Sequence, residues 1–155
     1  MGQIRTPLLA VDAAIIFRDG IVLIRRENPP FQGCYALPGG FVEVGETVEQ
    51  AVRREAREET GLQIDRLQLI GIYSDPGRDP RDHVVSVAFL ARGQGDLVCG
   101  SDARTAEVFL LSSLPALAFD HDRIIREAQS HLESWNQESQ NPEAQNPESG
   151  TVKLK

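Results

Sequence analysis

The chain has 155 residues, 41% of them apolar, and its 23 acidic and 16 basic side chains leave a formal charge of −7. That size and apolar content predict one domain with its own core, and the negative balance argues against a nucleic-acid backbone or an anionic membrane as the main partner. Only two cysteines occur, Cys34 and Cys99, so a disulfide framework is not expected and a reducing, cytoplasmic setting is.

The apolar run Leu8–Phe17 contains Asp12 and is too short to span a bilayer, so it predicts a buried strand. Residues 21–26 are also apolar and β-branched, and the Asp-Gly pair in Arg18-Asp19-Gly20 predicts an antiparallel hairpin between the two runs. A loop follows over 27–33, marked by Asn28-Pro29-Pro30 and Gly33. The stretch 35–38 then leads into Gly39-Gly40, where the backbone can approach a ligand closely. Residues 41–44 alternate and predict a short strand. Thr47 and Gln50 form a capping box and Gly61 is a natural stop, so a helix is expected over Val48–Thr60. Further strands are expected at 67–73, 84–91 and 107–111, with turns at 74–82 and 93–100.

A second amphipathic helix fits 123–135, with Ile124, Ile125, Ala128 and Leu132 on one side. Phe119-Asp120-His121-Asp122 reads as its capping segment, with Asp120 or Asp122 accepting hydrogen bonds from the first free amides. From Asn136 the composition turns to Gln, Asn, Glu, Ser and Pro, with tandem Gln-Asn-Pro-Glu units at 140–143 and 145–148. Such a segment buries too little apolar surface to order itself, so the folded domain is expected over 1–135 and a disordered tail without a catalytic role over 136–155.

The first helix carries the chemistry. With Val48 at zero on a helical wheel, Val52 falls at about 40°, Ala56 at about 80° and Ala51 at about 300°, which defines an apolar stripe. Glu59 at about 20° and Glu55 at about 340° lie inside that stripe, Glu58 at about 280° borders it, and Thr60 falls on the far side. Ionised carboxylates facing a core are costly unless paired or bound to metal. Hard divalent cations meet that need with oxygen ligands, and Mg²⁺ typically combines one or two carboxylates with water and substrate phosphates. The structural alternative is neutralisation by helix-surface pairs. It suits Arg53 with Glu49 and Arg54 with Glu58, but on the wheel no base stands beside Glu55 or Glu59. Arg54 also points toward Glu46 in the preceding loop, a buttress between loop and helix.

Gly40, five residues, Glu46, seven residues and then Arg54-Glu55-Ala56-Arg57-Glu58-Glu59-Thr60-Gly61-Leu62 resemble the Nudix box, G-x5-E-x7-R-E-U-x-E-E-x-G-U, where U is a bulky aliphatic. Every fixed position matches, and the one departure is Ala56, smaller than the usual aliphatic. Tyr35-Ala36-Leu37-Pro38-Gly39-Gly40-Phe41 resembles the stretch that precedes the box. The resemblance implies a Nudix α/β/α sandwich with a mixed β-sheet from about residue 8 to about residue 132. It also implies hydrolysis of a nucleoside diphosphate derivative by attack of water on phosphorus, with Mg²⁺ as cofactor and Mn²⁺ as a substitute. Glu55, Glu58 and Glu59 would be metal ligands, with the Gly40 carbonyl as an additional one. Glu58 would also be the base or hold the water, and Arg54 and Glu46 would orient the acids. Glu107 and Asp102 are alternative bases, since the family places this group variably. A homodimer is compatible with the resemblance, though no residue demonstrates one.

Pro76, within Ser74-Asp75-Pro76-Gly77-Arg78-Asp79-Pro80-Arg81-Asp82-His83, resembles a feature of the family's ADP-ribose pyrophosphatases, which implies cleavage of ADP-ribose to AMP and ribose 5-phosphate. Arg25, Arg26, Arg78 and Arg81 are candidates to grip the phosphates or the terminal ribose, because guanidinium groups suit bidentate oxygen contacts. His121 is not favoured as a metal ligand, since no second histidine sits at ligand spacing. Two other readings stay open: a pyrophosphohydrolase of oxidised nucleoside triphosphates, and a non-catalytic ADP-ribose sensor. The sensor would be fused to a DNA-binding module, for which the 20 residues after Trp135 leave too little chain.

Overall fold

The computed structural model describes residues 2–98, 105–138 and 140; Cys99, Asp102 and 141–155 lie outside the described residues. The elements are β1 (Leu8–Phe17), β2 (Gly20–Arg25), β3 (Tyr35–Ala36), β4 (Gly39–Phe41), α1 (Val48–Thr60), β5 (Gln63–Tyr73), β6 (Val84–Gln94), β7 (Ala106–Phe109) and α2 (His121–Glu138). Strand β1 runs parallel to β6 from Leu8↔Val84 to Ile16↔Arg92, and the other strand pairs are antiparallel, so the sheet is mixed.

Alternation along β1 sends side chains to two different layers, as expected of a strand covered on both faces. Val11, Ala13, Ile15 and Phe17 pack with Ala51, Val52 and Ala56 of α1. Ala14 and Ile16 belong to the opposite cluster, with Ile124, Ile125, Ala128 and Trp135 of α2. The result is the expected α/β/α sandwich. Each fully buried aliphatic in it, such as Ile15 or Leu23, contributes about 1.5–3 kcal/mol.

Strands β1 and β2 pair only at Ile16↔Ile21 and Phe17↔Gly20, and then diverge. The segment 35–41 fills the gap: β3 pairs with β2, β4 pairs with β1, and between them the Ala13 amide donates to the Pro38 carbonyl at 2.8 Å. Two glycines make this insertion fit. A Cβ on Gly39 would lie 2.2 Å from the Val11 carbonyl oxygen, and one on Gly40 would lie 2.4 Å from Glu55 Oε1.

Helix α1 has the expected bounds. The Gln50 amide donates to Thr47 Oγ1 at 3.1 Å, the Thr47 amide donates to Gln50 Oε1 at 2.9 Å, and Gly61 ends the helix at φ 75°.

Several expectations are corrected. The hairpin turn is Arg18-Asp19, with Arg18 at φ 54°; Gly20 already belongs to β2 and is small because β7 crowds it, the Phe109 oxygen lying 2.2 Å from a would-be Cβ. The short strand is Gly39–Phe41 rather than 41–44, because the glycine backbones pair with β1 and Val44 is exposed. Strand β5 starts at Gln63 rather than 67, since register shifts at Asp65/Gln68 and Leu69/Gly71 break the alternation that marks a strand in sequence. Thr60 is fully buried, its hydroxyl satisfied by the Ala56 carbonyl at 2.5 Å and the Leu62 amide at 3.1 Å.

Helix α2 continues to Glu138, past the expected boundary at Trp135. Trp135 is buried under the guanidinium groups of Arg66 and Arg92, 4.6 and 5.1 Å from the ring centroid, and Arg66 Nη2 donates to its carbonyl at 2.9 Å. Among the described residues no helix is long and apolar enough to cross a membrane.

Candidate active site

A cavity of about 480 Å³ opens where β1 and β2 diverge, within the usual size range for small-molecule sites. It is lined by Gly39 and Gly40 with Glu55, Glu58 and Glu59 of α1, and also by Arg25, Arg26, Arg78 and Arg81. The wheel phase of α1 holds for the two inner acids. Glu59 is 7% exposed and accepts a hydrogen bond from the Gly39 amide at 3.2 Å. The Glu55 side chain is 14% exposed, against 59% for Glu58.

Arg54 organises this group. Its Nε and Nη2 hold Glu46 bidentately at 3.0 and 2.7 Å, Nη2 also donates to the Phe41 carbonyl at 3.0 Å, and Nη1 reaches Glu55 Oε1 at 2.8 Å and Glu58 Oε2 at 3.3 Å. The hydrogen bond from Arg54, reinforced by the Glu43 amide, holds the Glu46 carboxyl below its ordinary value. The Arg54 guanidinium is correspondingly pushed up, by Glu46 first and Glu55 second. The buttress between loop and helix is therefore present. The expectation that no base stands beside Glu55 is corrected: Arg54 bends from the adjacent position to reach it. The Arg53–Glu49 pair is replaced by a hydrogen bond from Arg53 Nη1 to the Ile64 carbonyl, which ties α1 to β5.

The donors are all oxygens, a set that suits a hard divalent cation. Gly40 lies so close to Glu55 that a side chain there would occupy the carboxylate's place, so backbone and acids share one cradle. Among the described residues no three histidine, cysteine, aspartate or glutamate side chains close around a single point as they stand. Glu58 is turned toward Arg54, and its exposure leaves room to rotate into the cavity.

Among the lining arginines, the Arg78 side chain is buried and held bidentately by Asp120 at 2.9 and 2.6 Å. Burial alone would lower its pKa, but the Asp120 hydrogen bond and the charges of Asp120, Asp12 and Asp79 together outweigh this and raise it. Arg81 is held by Asp79 at 3.0 and 2.8 Å. The guanidinium carbons of Arg26 and Arg81 lie 4.9 and 5.6 Å from the Phe119 ring centroid.

Pro76 lies outside the cavity lining, in the turn after β5. Glu107 also lies outside it, on β7, and accepts from the Tyr35 hydroxyl at 3.0 Å; Asp102 falls among the residues not described. The capping role expected for Asp120 or Asp122 is corrected. Asp120 does accept the Arg123 and Ile124 amides at 3.0 and 3.2 Å, but through its backbone carbonyl, while its carboxylate goes to Arg78 and Asp122 pairs with Arg126 at 3.4 Å.

Sequence reasoning did not place several polar residues in the cavity wall, among them Asp12, Asp79 and His121. Asp12 is 8% exposed within a strand that is otherwise apolar. A buried carboxylate in such a run was itself a signal, because it needs partners to be tolerated.

The NUDIX domain model matches residues 6–128. The ADP-ribose pyrophosphatase of Methanocaldococcus jannaschii is 55% identical over 122 residues, covering 78% of this chain and 72% of that protein. The ADPR responsive transcriptional repressor NtrR of Acinetobacter baylyi is 31% identical over 83% of this chain, which spans 56% of the repressor's length. The NUDIX domain of Shewanella oneidensis NrtR, solved in complex with ADP ribose, superposes with a TM-score of 0.76 at 28% identity, covering 83% of this chain and 90% of that one. Hydrolases of this family generally need divalent metal ions. With an intact acidic motif on the helix that faces the cavity, and a family match over most of its length, the chain belongs to the Nudix family of hydrolases.

Proposed function

We propose that the chain hydrolyses ADP-ribose to AMP and ribose 5-phosphate with Mg²⁺, and that Mn²⁺ substitutes. The observation that carries this reading is the juxtaposition of Glu55, Glu58, Glu59 and Gly40 with an arginine-bearing wall in one cavity sized for a small ligand. The named relatives support ADP-ribose as the ligand.

Glu55, Glu58 and Glu59, with the Gly40 carbonyl, would hold the cation. When bound, it neutralises phosphate charge and lowers the pKa of water, the two needs of diphosphate cleavage. Glu58, the most exposed acid, is the group of the three best able to take the proton from the attacking water. Water oxygen joins one phosphorus, the bridging oxygen leaves on the other phosphate, and AMP and ribose 5-phosphate result. Arg54 and Glu46 keep the acids in register. Arg25 and Arg26 line the cavity, where guanidinium groups suit phosphate oxygens.

A panel of ADP-ribose, NADH, diadenosine polyphosphates and nucleoside triphosphates, each with and without Mg²⁺, tests the proposal. AMP and ribose 5-phosphate as the preferred products support it. Pyrophosphate release from triphosphates as the preferred reaction refutes the substrate. The similarity to an ADPR responsive repressor favours one second reading, a domain that binds ADP-ribose without turnover; saturable binding with no hydrolysis at any Mg²⁺ concentration would establish it instead.

A further inference from the structure

Where the cavity is lined by Asp12 and His121, β1, β6 and α2 meet in a polar cluster that neither the glutamate helix nor the lining arginines account for. Asp12 and His121 are both buried. A lone carboxylate and imidazole there are costly unless each finds partners. His121 Nδ1 accepts the Leu37 amide at 3.0 Å, so the proton of the neutral ring sits on Nε2, which faces Asp12 Oδ1 at 3.4 Å. The second Asp12 oxygen accepts from the Ser86 hydroxyl and lies 3.9 Å from Arg78 Nη2.

Leu37 opens the segment Leu37-Pro38-Gly39-Gly40, which leads from β3 into β4, and each following tie comes from a different element. The Pro38 carbonyl is held by β1 through the Ala13 amide, and the Gly39 amide is held by α1 through Glu59. Gly39 also packs against Asp12 so closely that a Cβ would lie 2.7 Å from Oδ1. His121 supplies the hold from α2. Without its acceptor, a buried amide is orphaned at the start of this segment, and such a group drives local rearrangement.

We propose that His121, oriented by Asp12, is a positioning residue that fixes the Leu37–Gly40 segment, which holds Gly39 against Glu59 and Gly40 against Glu55, and so sets the geometry of the divalent-cation site. The inference rests on the reading of that site given under the proposed function. Groups behind metal ligands typically act this way, by fixing the orientation of the ligands in front of them.

The test is Mn²⁺ binding to the substrate-free full chain, followed by the electron paramagnetic resonance of the free ion, with the fold checked by circular dichroism. Asparagine places an amide oxygen close to the position of Nδ1, whereas leucine fills the volume with no acceptor. His121→Leu is expected to weaken Mn²⁺ binding by about tenfold, and His121→Asn to recover most of the loss. In turnover, the Mn²⁺ concentration for half-maximal rate should rise more than KM for the nucleotide. Native affinity in His121→Leu, or equal weakness in His121→Asn, overturns the proposal. If His121→Leu does not fold, the unmodified protein decides. Its Leu37 amide and His121 ring resonances should shift with Mg²⁺ at one midpoint, and unmoved resonances refute the role. Glu59→Gln separates the two levels. If it binds Mn²⁺ normally, the cation site itself is misassigned; if it fails while His121→Leu binds normally, only the role of His121 falls.

Discussion

Gly39 and Gly40 are neighbours with different reasons to be glycine, and alanine at each separates stability from activity. Gly40 is not in the left-handed region, so alanine there meets no backbone strain. Its Cβ would lie 2.4 Å from Glu55 Oε1, whereas ordinary contact begins at 3.4 Å. The obstacle is the flexible end of a side chain, and about 1 Å of carboxylate displacement relieves it. Gly→Ala substitution removes freedom from the unfolded chain, worth about 0.4–1 kcal/mol, which opposes the modest loss of the Arg54–Glu55 contact. Net stability should therefore change by less than about 1 kcal/mol. Activity is far more sensitive, because a misplacement of about 1 Å at a reacting centre costs on the order of 100-fold.

At Gly39 the obstacles are backbone atoms, the Val11 oxygen at 2.2 Å and the Asp12 Cα at 3.1 Å. Relief there requires β1 and β4 to part, at about 1–3 kcal/mol or more. Urea denaturation in EDTA, paired with steady-state hydrolysis of ADP-ribose, reads both quantities. Gly40→Ala with native kcat/KM, or the two variants losing equal stability, would refute the reasoning.

Glu58→Gln and Glu59→Gln should each lower Mg²⁺-dependent turnover by orders of magnitude with the circular dichroism spectrum unchanged, and native rates in both would remove the site assignment. Arg54→Lys should lower kcat even though charge is kept, since a lysine cannot reproduce the bidentate hold on Glu46 together with the bonds to Phe41 and Glu55. His121 makes stability depend on pH in a defined window. Burial pushes its pKa below the ordinary 6.5, against the opposing pull of Asp12. Above 6.5 both folded and unfolded forms are neutral; below it the unfolded chain takes up the proton first. Stability should therefore fall as pH drops beneath 6.5, with a slope of at most about 1.36 kcal/mol per pH unit until the folded form also protonates. Urea midpoints across that range should flatten in His121→Asn, and an unchanged slope would contradict the assignment.

The sequence was most informative where a local rule acts alone. The capping box and Gly61 placed α1 to the residue, because both ends depend on contacts within a few positions. The inward phase of Glu55 and Glu59 followed from the same periodicity. Long-range features were not legible in this way. Nothing local shows that β1 runs parallel to β6, that β5 is interrupted by bulges, or that the Gly39 and Gly40 backbones are themselves strand. The wheel put Thr60 outside because it counts angles, whereas its hydroxyl is satisfied within its own turn and at Leu62 and so tolerates burial. Arg78 and Arg81 read as free cations until Asp120 and Asp79 came into place beside them. Asp12 was visible as an oddity, but its meaning depended on His121, far away along the chain.

The parallel pairing of β1 with β6 also constrains how the protein acquires and loses its catalytic power. The first strand cannot find its partner until everything up to Val84 has been threaded between them, and contacts of such separation close late in folding. The cavity draws on residues from Ala10 to His121, so no early hairpin or isolated helix contains a working fraction of it. Substrate turnover and the cooperative far-ultraviolet transition should therefore vanish at the same denaturant concentration, with no active, partly melted species between them.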